Sequence, residues 1–402
     1  MVEQAANDPG LERAVAAAVG AVDPDEVLRI ARALIAAPSE NPGGTEDEAA
    51  AVAAEVLAGL GGDPVVIRSD EGRPSVMATI GSPERPSLAW NGHLDVVPAG
   101  DPGTWSEPPW AGEVVDGRLI GRGACDMKGP IAAALAAGAA IRRAGVELGG
   151  RLHYHLAADE EVGGIHGTKV MWERGLIDQD ACVVGEPSEL GIGLAERGGA
   201  WFTVTARGTA AHGSTPKLGV NAIATMARFV LRAEETLPDL EHPLVGRPSV
   251  NVALIEGGHA PNAVPDLCVA DVDRRLLPGE TRPSIEAAYE ALFERMRAEE
   301  PQTRIEAVCR EWTEPAEAAA DSAIAQLCRT AVAEDRGAVP PDVGFTGITD
   351  ARFYINEGAI PTVILGPGSL RDAHTAGESV AVEDLVTAAR IYARVFVRFL
   401  GA

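Results

Sequence analysis

Short apolar segments alternate with helix-like segments through the first half of this chain, and this alternation constrains its fold more than any other feature. Strand-like segments lie at residues 75–80, 87–94, 151–157 and 181–184. A buried helix is predicted from Pro130, because proline fits the first helical turn and the residues after it are almost all alanine, leucine and isoleucine. Strands that alternate with helices predict an α/β fold in which helices flank a central, mostly parallel sheet.

The pattern changes near Gly198. From there the order is strand, helix, strand, strand, helix and strand, at residues 201–207, 221–236, 249–256, 266–276, 285–297 and 304–312. This order is typical of a small ferredoxin-like α+β module. The α/β style then returns with a helix at 316–334, a strand at 362–365 and a helix at 382–400. We therefore predict one domain made of residues 1–197 and 314–402, and a second domain inserted into it at residues 198–313.

Composition excludes several classes of partner. The formal net charge is −25, which argues against nucleic acid, because phosphate binding needs a basic surface. Residues 1–4 lack the basic start of a signal peptide, and the longest apolar run, at residues 130–141, is too short to span a membrane. The five cysteines are odd in number and show no C-x-x-C spacing. They are interpreted as free, buried thiols, so we expect a cytoplasmic protein.

Five segments hold residue types that bind divalent metal ions, and three of them come at the ends of predicted strands. In chain order they are residues 91–95, 123–129, 159–161, 185–187 and 373–375. Open α/β sheets place their sites at the carboxyl ends of strands. Each segment alone would also fit an ordinary turn, loop or helix start. Together, and in this order, they indicate a hydrolase with two metal ions.

The spacing within two of these segments suggests distinct roles. His93 and Asp95 end a strand two residues apart, so their side chains point to the same face. A metal-bound imidazole needs an acceptor for its other nitrogen, and Asp95 is predicted to provide it. Asp126 lies in a loop with glycines at 121, 123 and 129, which let the backbone turn sharply. Its two carboxylate oxygens can bridge two cations.

Asp159, Glu160 and Glu161 are three adjacent acids, which repel one another unless cations lie nearby. Consecutive residues point in different directions, so one can bind metal while its neighbour takes a proton from water. Two divalent cations carry a charge of +4, which three carboxylates and a bridging hydroxide nearly neutralise, while two imidazoles add no charge. The five ligands are His93, His374, Asp126, Glu161 and Glu186. Such ligands suit zinc, with cobalt or manganese as alternatives. The other histidines match no ligand position and are interpreted as structural or exposed: His153, His155, His166, His242 and His259.

Combined, these segments resemble the co-catalytic di-zinc aminoacylase/carboxypeptidase family, which includes acetylornithine deacetylase, succinyl-diaminopimelate desuccinylase, aminoacylases and glutamate carboxypeptidase. The resemblance covers roughly residues 25–400. It implies two Zn²⁺ per subunit: His93 and Glu186 hold one, Glu161 and His374 hold the other, and Asp126 bridges them. It also implies that Glu160 is the general base, that Asp95 orients His93, and that the peptide between Asp126 and Met127 is cis.

The resemblance assigns roles to three residues of the inserted domain as well. His212 is expected to reach the active site of a partner subunit, while Asn262 and Arg275 are expected to grip the substrate carboxylate, which suits the bidentate fork of arginine. Surface loops of an interface domain would carry the same residue types, and this alternative stays open. The implied architecture is a catalytic di-zinc domain interrupted by a ferredoxin-like dimerisation (lid) domain, hence a homodimer.

The expected reaction is removal of the acyl group from an N-acyl amino acid or a related N-acyl amine. Glu160 would take a proton from the attacking water and return it to the leaving amine, and His212 would donate to the oxyanion. One alternative is a dipeptidase or glutamate-type metallocarboxypeptidase with the same chemistry. A more remote alternative is a metal-binding dimer without activity, against which an intact Glu160 argues. The expected partner is a small-molecule substrate, not a nucleic acid or a membrane.

Overall fold

The computed structural model describes residues 8–402, so the predicted lack of a signal peptide at residues 1–4 lies outside the described residues. The chain divides into two compact units. The first comprises the described residues up to Leu194, together with Glu317–Val343 and Thr349–Ala402. The second comprises Ala195–Ala316 and Gly344–Ile348. Within the described range, no helix is both long and apolar enough to cross a membrane.

The strands, in chain order, are β1 (Val65–Arg68), β2 (Pro74–Gly81), β3 (Ser87–His93), β4 (Glu113–Val115), β5 (Arg118–Ile120), β6 (Arg151–Ala157), β7 (Ala181–Val184), β8 (Ile192–Glu196), β9 (Gly198–Arg207), β10 (Ser249–Gly257), β11 (Leu267–Leu276), β12 (Arg304–Thr313), β13 (Ala316–Glu317), β14 (Asp342–Phe345), β15 (Thr362–Ile364) and β16 (Ser379–Ala381). The α-helices are α1 (Pro9–Gly20), α2 (Pro24–Ile35), α3 (Asp47–Gly59), α4 (Lys128–Arg143), α5 (Thr168–Glu173), α6 (Ala222–Arg232), α7 (Arg282–Glu299), α8 (Ala323–Arg336) and α9 (Val382–Leu400).

A large sheet forms the centre of the first unit, with the strand order β1-β2-β6-β3-β7-β15-β8-β13 and β14 paired to β8. The central strands β6, β3, β7 and β15 run parallel, while β1, β2 and β8 add antiparallel pairs at the sides. Every residue of β3 is buried, as expected for a strand covered on both faces. The predicted α/β architecture with a mostly parallel central sheet is confirmed.

Helix α4 is almost entirely buried and packs against α2 and α9. Its small alanine side chains let neighbouring helices approach closely. A helix that is apolar on all sides is stable only in the interior of a unit. Pro130 is the third residue of α4, in the first turn, where its missing N–H leaves no helical hydrogen bond unmade. The loop that precedes α4 holds Asp126.

The second unit is built on a four-stranded antiparallel sheet with the order β10-β11-β9-β12. Helices α6 and α7 pack on it, and aromatic rings fill the core between them, including Phe202, Phe229, Tyr289 and Phe293. The chain order of strand, helix, strand, strand, helix, strand is the one that the sequence predicted. The role of this unit in dimerisation remains a prediction.

The predicted helix at residues 316–334 is wrong at its start. Ala316–Glu317 is strand β13, and the backbone N–H of Ala318 donates to the oxygen of Leu194 at 2.7 Å. The helix begins only at Ala323, after Ser322, whose hydroxyl accepts from the backbone N–H of Ala325. Pairing with the sheet therefore overrides the helical propensity of this alanine-rich segment. The five cysteines are free as predicted, but Cys309 is only partly buried.

Candidate metal centre

Three neighbouring parallel strands bring the predicted ligand segments together. β3 pairs with β6 on one side and with β7 on the other. Because parallel neighbours end at the same edge of a sheet, the residues that follow these strands meet there. They are Asp95 after β3, Glu160 and Glu161 after β6, and Glu186 after β7.

His93 is the last residue of β3, and its imidazole is buried. Nδ1 lies 2.9 Å from the backbone oxygen of Asp95 and 3.5 Å from its Oδ1, so the backbone oxygen is the nearer acceptor. A proton on Nδ1 leaves Nε2 available to a metal. Nε2 faces carboxylate oxygens of Asp126 at 3.0 Å, Glu186 at 3.5 Å and Glu160 at 3.8 Å.

The carboxylate of Asp126 lies between two imidazoles. Its Oδ1 is 3.0 Å from Nε2 of His93, and its Oδ2 is 3.3 Å from Nε2 of His374. That nitrogen of His374 is also 3.0 Å from Oε2 of Glu161. A carboxylate whose two oxygens face two sets of ligand atoms has the arrangement that a bridging ligand requires. The peptide between Asp126 and Met127 is cis, as the resemblance implied.

The ligand atoms form two overlapping groups. Those of His93, Asp126 and Glu161 lie within 4.8 Å of one another, as do those of His93, Glu160 and Glu186. Both groups share His93, so together they describe one continuous cluster. Glu160, the predicted base, lies in the second group beside the predicted ligand Glu186.

The cluster favours added positive charge. Burial raises the pKa of the Glu160 and Glu186 carboxyls well above their usual value, and neighbouring carboxylates add to the rise. Burial opposes ionisation of Asp126 too, but hydrogen bonds from His374 and a second imidazole lower its pKa. The hydrogen bond to Asp126 in turn raises the pKa of His374 to about 10. Divalent cations would supply this positive charge, and a donor set of imidazole and carboxylate without thiolate suits Zn²⁺.

A large part of the sequence, residues 89–398, matches the model of the peptidase family M20/M25/M40. The chain belongs to this family. It is therefore a hydrolase of a metal-dependent family whose members cleave amide bonds, and the predicted family and enzyme class are confirmed. The binding of two zinc ions and the role of each site residue remain predictions.

Curated relatives and solved structures agree with the family. The chain is 34% identical to an acetylornithine deacetylase of Myxococcus xanthus over 325 residues, which cover 79% of this chain and 81% of the relative. It is 30% identical to a succinyl-diaminopimelate desuccinylase of Phenylobacterium zucineum over 385 residues, 94% of this chain and 99% of the relative. The crystal structure of the YXEP protein of Bacillus subtilis, described as a dinuclear metal-binding peptidase, shares the fold with a TM-score of 0.67 and 17% identity, covering 94% of this chain and 98% of that one.

His212, Asn262 and Arg275 all lie in the second unit. The segments of His212 and Asn262 are adjacent there, because the N–H of Gly213 donates to the oxygen of Asn262 at 2.7 Å. Nδ1 of His212 lies 2.7 Å from the hydroxyl of Ser214. Arg275, on β11, pairs with Asp273 at 3.0 Å. Their roles in binding and catalysis remain predictions.

The remaining histidines match their interpretation. His153 and His155 are buried on β6, where their Nδ1 atoms lie 3.0 Å from the hydroxyl of Thr79 and 2.7 Å from that of Tyr354. The other three are partly or fully exposed, namely His166, His242 and His259.

Sequence reasoning missed a layer of polar residues behind the cluster. The side-chain amide of Asn41 donates to Asp95 at 2.9 Å and to Asp159 at 3.2 Å. The carboxylate of Glu378 accepts from the backbone N–H groups of Cys125 and Asp126. Asp159 could have been suspected from its place in the acidic triplet, and Glu378 from its position four residues after the predicted ligand His374. The sequence around Asn41 carries no such signal.

Proposed function

We propose that this protein is a di-zinc amidohydrolase that removes an acyl group from an N-acyl amino acid, and that it works as a homodimer. The position of Asp126 between the buried imidazole of His93 and the exposed imidazole of His374, with Glu160 and Glu186 near His93, carries this proposal. The two curated relatives support it, because both names describe removal of an acyl group from an amino acid. The free cysteines agree with a reducing cytoplasm as its compartment.

The ligand assignment follows the two sides of Asp126. His93 and Glu186 would hold one cation, Glu161 and His374 the other, and Asp126 both. Two Zn²⁺ bound there would polarise the scissile carbonyl and lower the pKa of water. The YXEP protein, described as a dinuclear metal-binding peptidase, supports a two-ion site in this fold. Cobalt or manganese would fit the same ligands.

Glu160 acts as the general base in this proposal. Its side chain is nearly buried at 8% exposure, and burial raises the pKa of its carboxyl well above the usual value. Two divalent cations bound beside it would favour the ionised carboxylate, which can then take a proton from the attacking water and hand it to the leaving nitrogen. Asp95 fixes the backbone of this residue through a hydrogen bond from the N–H of Glu160 at 3.1 Å.

Substrate contacts are assigned to the second unit. The guanidinium of Arg275 and the side-chain amide of Asn262 would bind the substrate carboxylate, since arginine offers two parallel N–H donors to such a group. His212 would donate to the oxyanion that develops on the carbonyl.

The homodimer is supported by an exposed apolar surface of the second unit. β10 lies at the edge of its sheet, and Leu254 and Ile255 on it are 66% and 56% exposed. On helix α6, Leu231 is 86% exposed and Ile223 is 39% exposed. Exposed edge strands with apolar side chains tend to pair with another chain. A second copy presents the same strand and helix, so a two-fold contact can cover both surfaces at once.

A substrate panel tests the reaction. Metal-depleted enzyme would be reloaded with zinc and assayed against N-acetyl amino acids, N-succinyl amino acids and dipeptides, with Glu160→Gln as the matched inactive control. We expect zinc-dependent release of free amino acid from one acyl class and little cleavage of dipeptides. Preferential dipeptide cleavage would instead make the protein a dipeptidase, and no turnover of any member would favour a binding protein.

Light scattering after size-exclusion chromatography tests the dimer. We expect a mass close to twice 41.7 kDa for the wild type and a monomer for Leu254→Glu, which places a charge on the proposed interface. Val339→Glu is the matched control, because Val339 is 76% exposed and lies outside the second unit. A monomeric wild type would refute the proposal.

A further inference from the structure

Strand pairing brings the segment that follows His374 next to the loop that holds Asp126. β16 pairs with β5, with Ser379 opposite Ile120. The pairing continues by one residue, because the N–H of Gly121 donates to the backbone oxygen of Glu378 at 3.1 Å. Glu378 therefore enters the loop that runs from β5 to helix α4, although these segments are far apart in the sequence.

The carboxylate of Glu378 fills the interior of that loop. Its Oε1 accepts from the backbone N–H of Cys125 at 3.0 Å and from that of Asp126 at 2.9 Å. Its Oε2 accepts from Nη1 of Arg122 at 2.5 Å. The guanidinium of Arg122 is in turn stacked over the ring of Trp105, 5.1 Å from its centre. One side chain thus satisfies three donors of a single loop.

Burial makes these contacts strong determinants of the loop conformation. Glu378 is 1% exposed and Arg122 is 2% exposed, so water cannot replace either partner. A buried donor left without an acceptor costs about 1–3 kcal/mol, and an unpaired buried charge costs more. The loop therefore keeps the conformation in which Cys125, Asp126 and Arg122 all reach the carboxylate.

The same residue is tied to the second imidazole of the cluster. Glu378 lies four residues after His374, and its backbone N–H donates to the oxygen of Thr375 at 3.3 Å. The imidazole of His374 lies 3.3 Å from Oδ2 of Asp126. Glu378 therefore contacts both the loop that holds Asp126 and the turn that follows His374.

We propose that Glu378 is a positioning residue that holds Asp126 and His374 at the separation needed to share one cation, and that Arg122 fixes its carboxylate. The inference rests on the proposed two-metal centre and deepens it. Glu378 contacts neither substrate nor the reacting atoms in this proposal. It acts through the backbone of Asp126. Its loss therefore weakens binding of the cation that Asp126 and His374 share, without unfolding the protein.

Titration of metal-depleted protein with Co²⁺, followed by absorption spectroscopy and calorimetry, tests the proposal without relying on activity. Glu378→Gln keeps the size of the side chain but turns an N–H₂ group toward Arg122, which has no acceptor to offer. We expect the second Co²⁺ equivalent to bind at least about tenfold more weakly, the usual effect of losing a residue that supports a ligand, with an altered cobalt spectrum. Arg122→Lys keeps the charge but loses the fork, and should weaken the same equivalent in the same direction.

Asp335→Asn is the matched control, because Asp335 forms a partly buried ion pair with Arg390 at 2.8 Å on helices α8 and α9, outside the cluster. It should lower thermal stability to a similar extent while binding two equivalents like the wild type. Wild-type affinity for both equivalents in Glu378→Gln and Arg122→Lys would overturn the proposal while leaving the two-metal centre intact. A wild type that binds only one equivalent would overturn the two-metal centre and this inference with it.

Discussion

The carboxylate of Asp95 accepts a hydrogen bond from the backbone N–H of Glu160, with 3.1 Å between Oδ1 and N. Its other oxygen accepts from the N–H of Glu161 at the same distance. The acid predicted to orient the imidazole of His93 therefore contacts the turn after β6 more closely than it contacts that ring, from which Oδ1 is 3.5 Å away. Asp95 links the end of β3 to the two acids on which the proposed chemistry depends.

Asp95→Asn tests this link. Asparagine offers one acceptor oxygen where aspartate offers two, so either Glu160 or Glu161 loses the partner of its N–H. We expect kcat to fall about 10- to 100-fold, as for other residues that support a ligand or base. Asp101→Asn is the control, because Asp101 also accepts from a backbone N–H, that of Gly103, but on the exposed surface. Unchanged kcat in Asp95→Asn would mean that these hydrogen bonds do not position the base.

Glu160 and Glu161 are neighbours with different predicted roles, so each serves as the control for the other. Glu160→Gln should retain both zinc ions and lose at least about 10²-fold in kcat, the usual contribution of a general base. Glu161→Gln should lose zinc, because Oε2 of Glu161 is the oxygen that lies 3.0 Å from the imidazole of His374. Elemental analysis and steady-state kinetics on the same preparations give both quantities. Near-normal turnover in Glu160→Gln would refute the role of base.

The central fold could be predicted from the sequence, because several of the predicted catalytic and metal-binding residues lie at the ends of apolar strands. His93, Glu160 and Glu186 each follow or end an apolar strand, so their meeting at one edge of the sheet follows from parallel pairing. The antiparallel pairing of the strands beside that core was not predicted, because strand order depends on contacts between distant segments. The same holds for Glu378 and Arg122, which are 256 residues apart. Local patterns do not encode such a pair, and the error at residues 316–322 has the same origin.

Two buried histidines on β6 predict a loss of stability in acid. Burial lowers the pKa of His155 to about 3 and that of His153 to about 4, both below the ordinary value of 6.5. Between pH 6.5 and the lowered pKa values, the two histidines bind more protons in the unfolded chain than in the folded chain. The folded state therefore loses stability as the pH falls through this range. Well above pH 6.5 both histidines are neutral in either state and contribute no slope.

His155→Gln removes one of these titrations. The free energy of unfolding of the metal-depleted variant should fall less steeply than that of the wild type below pH 6.5, by up to about 1.4 kcal/mol per pH unit. Urea unfolding at several pH values between 7 and 5 gives the two slopes, and His153→Gln should reduce the slope in the same way. Parallel curves for all three proteins would show that these histidines are not the source of acid sensitivity.

We expect His212 to act at the active site of the partner subunit. Removing a donor to a developing oxyanion typically costs about 10²–10³ in rate, so His212→Ala should be nearly inactive while binding zinc normally. Glu160→Ala should be inactive for a different reason. The two variants therefore carry separate defects, one in each unit of the chain.

Mixing these two inactive proteins distinguishes action in the same subunit from action in the partner. If His212 serves the partner, a mixed dimer has one active site with both defects and one with neither, so activity should return with subunit exchange. If His212 serves its own subunit, every site of a mixed dimer keeps one defect and the mixture stays inactive. Exchange must be verified independently, by mass spectrometry of differently tagged subunits. Proven exchange without recovery would therefore refute action in trans, and recovery would establish the homodimer as the catalytic unit.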